Sequence, residues 1–208
     1  GNGQDILGHL DLKRYHLLPN TAGSYTVQQA VHMAQLAREA AGTNWIKLEV
    51  IGDQATLWPD VAGTVEATKI LVADGFVVLA YTAPDIVTAC KLEDAGAAAV
   101  MPLASLIGSG RGFQDRSSIE MIAQRISVPV VVDAGLGSAS DVALAMELGA
   151  DACLANTAIA KAQDPARMAT AFRLGLEAGR QAYLAGRMAA QPLAAPSSPV
   201  QGVPVTIE

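Results

Sequence analysis

Two rhythms of apolar and polar positions alternate along the chain. Short runs rich in valine, leucine and isoleucine occur at 15–20 (YHLLPN), 45–52 (WIKLEVIG), 76–82 (FVVLAYT), 98–103 (AAVMPL), 128–135 (VPVVVDAG) and 152–159 (ACLANTAI). Each is too short for a convincing helix and predicts a strand. The stretches 26–41, 60–74, 84–95, 116–126, 138–148 and 164–185 instead carry apolar residues at helical spacing. Thr26 stands before the first as a candidate N-cap, and Asp164-Pro165 opens the last with a cap followed by proline. Strands that are apolar on both faces and alternate with helices demand a parallel sheet covered by helices.

Such an order suits either an open doubly wound sheet or a closed barrel. Polar or glycine-rich breaks follow nearly every strand (PNTAG, VIGD, AYTAPD, IGSGRG, DAGLGS, ANTAIA). That distribution favours a barrel, whose chemistry lies along one rim, over an open sheet, which gathers it at a switch point. About six strands are visible, fewer than a closed (β/α)8 TIM barrel contains. Residues 1–14 read as a loop and short helix leading into the first strand. Residues 189–208 mix proline, alanine, serine and glycine without periodicity, so they read as a disordered tail behind a barrel domain over 1–188.

Lys47 and Glu49 interrupt an otherwise core-like strand. At i and i+2 they project from the same face. A buried structural ion pair, or an edge strand with one polar face, accounts for the pattern. So does a lysine whose pKa is lowered by burial until the neutral amine attacks a carbonyl, with Glu49 moving protons.

Asp133 sits where an apolar strand turns into a glycine-rich loop. Gly135 and Gly137 there allow backbone amides to approach an anion, with Ser138 or Ser140 as candidate caps of the next helix. A tight turn explains the glycines equally well. Asn156 and Thr157 end the next strand, where barrels often hold phosphate. Gly108, Gly110 and Arg111 mark another exit, with Arg111 either a phosphate clamp or a solvated charge. Asn20 and Thr21 read as turn and capping residues. His9, His16 and His32 are scattered, and no P-loop or dinucleotide fingerprint is present.

Composition narrows the choice of partners. The chain of 208 residues is 51% hydrophobic, 16% charged and 4% aromatic, so its interior is built from small aliphatic groups. A formal charge of −6 offers no general attraction for nucleic acid or anionic membrane. Cys90 and Cys153 lack metal-site spacing and read as small buried hydrophobes. Neither a signal pattern nor a membrane-length apolar run occurs, so a cytoplasmic location is expected.

Together LLPNTAG, GTNWIKLEVIGD, GFVVLAYT, AVMPLASLIGSGRG, VPVVVDAGLGSASDVALAMELGAD and NTAIAKAQDPARMA closely resemble the thiazole synthase family of bacterial thiamine biosynthesis, over roughly residues 5–188. The resemblance implies a (β/α)8 barrel, of which this chain lacks the first two strand–helix units. It implies an amine at Lys47 that condenses with the ketone of 1-deoxy-D-xylulose 5-phosphate, and acid–base carboxylates at Glu49 and Asp133. Phosphosugar contacts fall at Gly108, Ala134, Gly135, Asn156 and Thr157. Dehydroglycine and a thiocarboxylated, ubiquitin-like sulfur-carrier protein are the implied co-reactants. The resemblance implies no metal or organic cofactor, and a homotetramer. Two other readings suit the residues: a different Schiff-base phosphosugar lyase or aldolase, and an inactive barrel fragment serving as an assembly subunit.

Overall fold

The computed structural model describes residues 6–198. After a short 3-10 turn at Ile6–His9, the elements are α1 (Val27–Ala41), β1 (Trp45–Leu48), β2 (Ile51–Asp53), β3 (Trp58–Pro59), α2 (Val61–Ala73), β4 (Val77–Thr82) and α3 (Ile86–Asp94). They continue as β5 (Ala99–Pro102), α4 (Arg116–Arg125), β6 (Val131–Val132), α5 (Ala139–Glu147), β7 (Ala152–Cys153), α6 (Thr157–Ala160) and α7 (Pro165–Ala185). The six long helices lie where the periodicity predicts them. Their starts are fixed by local chemistry: Thr26, Asp60, Asp85, Asp115 and Asp164 each accept a first-turn amide through the side chain.

Parallel pairing runs in chain order. The Lys47 N–H donates to the Pro19 carbonyl (2.8 Å), and the Thr21 N–H donates to the Lys47 carbonyl (3.1 Å). Beyond β1 come β4 and β5, then β6 through bridges Val100–Val130 and Leu103–Asp133, then β7. The result is an arc of parallel strands with helical crossovers.

Four expected strands are well short of their apolar runs, and of 128–135 only 130–133 pairs. The segment 15–20 pairs only near its end, at Asn20. The run 152–159 leaves the ladder after the Leu154 N–H donates to Val132, because the Asn156 carbonyl then accepts from Ile159 and Ala160 and starts α6. The run 45–52 breaks after Leu48, and β2 turns back against β3 as an antiparallel hairpin. An Asp53–Thr56 turn closes it: the Thr56 N–H donates to the Asp53 carboxylate at 2.7 Å. The expected tail contains no helix or strand over 189–198; its remainder, and residues 1–5 of the expected entry loop, lie outside the described residues.

Strand alternation sorts side chains into an outer and an inner set. Ile46, Leu48, Val50, Val78, Ala80 and Val100 pack outward against residues of α1, α2 and α3 such as Ala34, Leu71 and Leu92. Val132 joins Ile119, Val142 and Phe172 in a second outer cluster under α4, α5 and α7. Inside, Leu79, Ala99 and Met101 form an apolar floor with Leu18, Val131 and Leu154. Each fully buried leucine or isoleucine contributes about 1.5–3 kcal/mol. Above that floor, the inner positions nearer the strand ends bring Lys47, Glu49 and Asp133 together beside Tyr81 and the apolar Leu103. Cys90 and Cys153 are free, half-buried thiols packed against the outer clusters. Among the described residues, no helix is long and apolar enough to cross a membrane.

Candidate active site

The outward packing of Ile46, Leu48 and Val50 leaves Lys47 and Glu49 facing inward. Asp133, bridged to Leu103 at the end of β6, meets them there. Lys47 Nζ lies 3.0 Å from Glu49 Oε1 and 2.5 Å from Asp133 Oδ2. Lys47, Glu49 and Asp133 are only 8%, 5% and 3% exposed. The other Asp133 oxygen, Oδ1, accepts the Ala134 N–H at 2.6 Å. Ala134 itself sits at φ 55°, a left-handed conformation costly for a residue with a Cβ, at the turn directly after the carboxylate.

The charge state expected of Lys47 is corrected here. Burial does lower its pKa, but the Asp133 and Glu49 carboxylates outweigh it through charge and contact, and the ammonium is held above its ordinary value. A neutral amine therefore requires a proton to move within the group.

Thr21 positions Glu49. Its hydroxyl donates to the Glu49 carbonyl and accepts the Glu49 N–H, both at 2.8 Å, so one fully buried side chain replaces a rung of the parallel ladder. The reading of Thr21 as a turn residue understates it.

Lys47, Glu49 and Asp133 line a cavity of about 510 Å³, with Gly108, Ala134, Gly135, Asn156 and Thr157 also on its wall. All eight expected site residues are thus brought together. Among the described residues, the amides of Gly108, Gly135, Asn156 and Thr157 donate no hydrogen bond to the protein. They are available to an anion. Two of the loops interlock. The Gly112 N–H donates to the Gly135 carbonyl at 2.9 Å, and the Asp141 carboxylate accepts the amides of Gly137 (2.8 Å) and Ser138 (3.1 Å). A Cβ on Gly137 would stand 2.5 Å from the Gly110 carbonyl oxygen.

Arg111 is exposed and does not line the cavity, which favours the solvated charge over the clamp. Lys161 lines it instead, together with Asn20 and the hairpin residues Ile51 and Leu57. Tyr81 is fully buried beside Lys47, behind the cavity wall rather than on it; its two-residue spacing from the inward Leu79 is the signal in the sequence that places it there.

The family model described as thiazole biosynthesis protein ThiG matches residues 1–199. Thiazole synthase of Aquifex aeolicus (strain VF5) is 55% identical over 201 residues, covering 97% of this chain and 75% of the relative. That of Methylobacterium sp. (strain 4-46) is 57% identical over 203 residues, covering 98% and 76%. Among solved structures, the Amycolatopsis orientalis BexX/CysO complex superposes with a TM-score of 0.85 at 41% identity, over 92% of this chain and 77% of that one. Muconate lactonizing enzyme from Pseudomonas putida, 18% identical over 78% of this chain and 44% of its own with a TM-score of 0.54, shares the fold alone.

Proposed function

We infer the chemistry of this cavity for a chain that belongs to the thiazole synthase family, described as thiazole biosynthesis protein ThiG. The chain is an enzyme of thiazole formation in thiamine biosynthesis. Our reading assigns its substrate as 1-deoxy-D-xylulose 5-phosphate and its first covalent step as an imine at Lys47. The observation that carries this reading is the buried Lys47 ammonium between two carboxylates, in the same cavity as unpaired loop amides.

Asp133 Oδ2, the nearer oxygen, takes one proton from the ammonium, and the neutral amine attacks the ketone carbon. The carbinolamine loses water with a proton returned by a carboxylate, leaving an iminium. That cation withdraws electrons from the adjacent C–H, and Glu49 or Asp133 removes the proton. Tautomerisation then delivers a new ketone for sulfur addition, with dehydroglycine completing the ring. The amides of Gly108, Gly135, Asn156 and Thr157, on a wall shared with Ala134, hold the phosphate, so a non-reacting group orients the reacting carbon. A thiocarboxylated, ubiquitin-like carrier supplies the sulfur; the BexX/CysO complex, in which a relative is bound to a second protein, supports a protein partner. The parallel arc is read as part of a (β/α)8 barrel, and the assembly as a homotetramer.

Borohydride reduction in the presence of the sugar phosphate tests the assignment. The expected product is a stable adduct on the peptide containing Lys47. An adduct elsewhere, or none on folded protein, overturns it.

A further inference from the structure

Tyr81 is 1% exposed on the inner face of β4. Lys47 Nζ lies 5.5 Å from its ring centroid. Its hydroxyl makes a long hydrogen bond, 3.5 Å, to the carbonyl of Leu57. Leu57 lies between β2 and β3, lines the cavity, and adopts φ 54°, a conformation that its side chain disfavours. Tyr81 forms a buried cluster with Ile51 and Leu103, against which Trp58 and Ala134 pack, so that cluster joins the hairpin to the turn that follows Asp133.

We propose that Tyr81 is a positioning residue for the lysine chemistry, its ring backing the Lys47 ammonium and its hydroxyl fastening the β2–β3 hairpin over the cavity. The proposal deepens the reading of Lys47 as the imine-forming amine and rests on it. A cation this close to a desolvated aromatic face is attracted by the ring quadrupole. The groups facing Nζ are Glu49 from its own strand, Asp133 from the end of β6 and the Tyr81 ring from β4. Cys153 on β7 feels the same Asp133 charge, its thiol pushed up to about 12 by burial and then by that carboxylate. Burial, followed by the charges of Asp133 and Glu49, drives the Tyr81 phenol well above its ordinary value. Tyr81 therefore stays a hydrogen-bond donor and is no general base. Its donor is directed at the hairpin carbonyl rather than at the reacting amine.

The test separates ring from hydroxyl in the full chain. Tyr81→Phe keeps the ring; Tyr81→Leu removes both, and Tyr81→Met replaces it if the leucine variant fails to fold. Competitive acetylation of Lys47 with acetic anhydride across pH reads the amine's pKa without substrate. Loss of the ring should lower that pKa by about half a unit or more, whereas Tyr81→Phe should leave it unchanged. Limited proteolysis between residues 53 and 57 should accelerate in every variant, because each lacks the hydroxyl. An unshifted Lys47 profile without the ring, an equal shift in Tyr81→Phe, or an unchanged hairpin cleavage rate overturns the proposal. Borohydride trapping on the unsubstituted chain runs in parallel: failure there removes the imine reading and leaves the acetylation result to stand separately.

Discussion

Thr21→Val is the sharpest probe of how the site is held. The substitution keeps the shape of a fully buried side chain and deletes only its hydroxyl, so no cavity term enters. Both backbone groups of Glu49 lose their 2.8 Å partner at once. A buried N–H or C=O left unpaired costs about 1–3 kcal/mol, so the pair should cost about 2–6 kcal/mol. That is a large part of the ~5–15 kcal/mol by which a domain is stable. Urea unfolding should show a lower midpoint at unchanged slope, and trapping of the sugar phosphate on Lys47 should slow as the Glu49 carboxylate loses its fixed position. Thr21→Ser should recover most of the loss, because the hydroxyl returns. A Thr21→Val variant within about 0.5 kcal/mol of the parent would refute the reasoning, since a surface change of no consequence produces no more than that.

Lys47→Met should destabilise by about 3–5 kcal/mol, because it leaves Glu49 and Asp133 buried together without their cation. Adding Asp133→Asn should recover part of the loss in the same urea assay, and no recovery contradicts the pairing. Lys47 is held above its ordinary 10.5 in the fold, so its stabilising contribution is complete below that pH and is lost as pH rises through the folded value. Unfolding free energies compared between the parent and Lys47→Met should therefore converge only in strong alkali. Asp133→Asn removes a cause that raises the lysine pKa, so acetylation of Lys47 should begin at lower pH in that variant. Gly135→Ala should cost about 2–4 kcal/mol and weaken inorganic phosphate binding measured by calorimetry, because its Cβ would lie 2.8 Å from the Ser105 backbone carbon at φ 73°.

The helices were legible because their signals are local. Thr26 and Asp164 cap where the apolar period begins, and no distant residue changes that outcome. Strand lengths were less so: Cys153 ends β7 because pairing stops at Val132, a fact about a neighbouring strand. The β2–β3 hairpin was missed for the same reason, since Ile51 and Pro59 face each other only after the Asp53–Thr56 turn forms. Lys47 and Glu49 were readable as one inward pair from their spacing. The amine's charge was misjudged because Asp133, far along the chain, contributes more than periodicity can show. Ala134 was named only through the family resemblance. Alanine gives no hint of a left-handed turn, so nothing in its residue type revealed the bend directly after Asp133.

The interlocked loops around Gly110, Gly135 and Gly137 have an evolutionary corollary. With Gly137 pressed against the Gly110 carbonyl and Gly135 against Ser105, neither loop can drift by mutation without dislodging its neighbour. On the proposed reading of these loops as the phosphate seat, novelty in substrate choice falls to other parts of the wall, such as Ile51 and Leu57 beside the β2–β3 hairpin. A lineage could so exchange the head of its ligand while the tail's receptacle stays frozen.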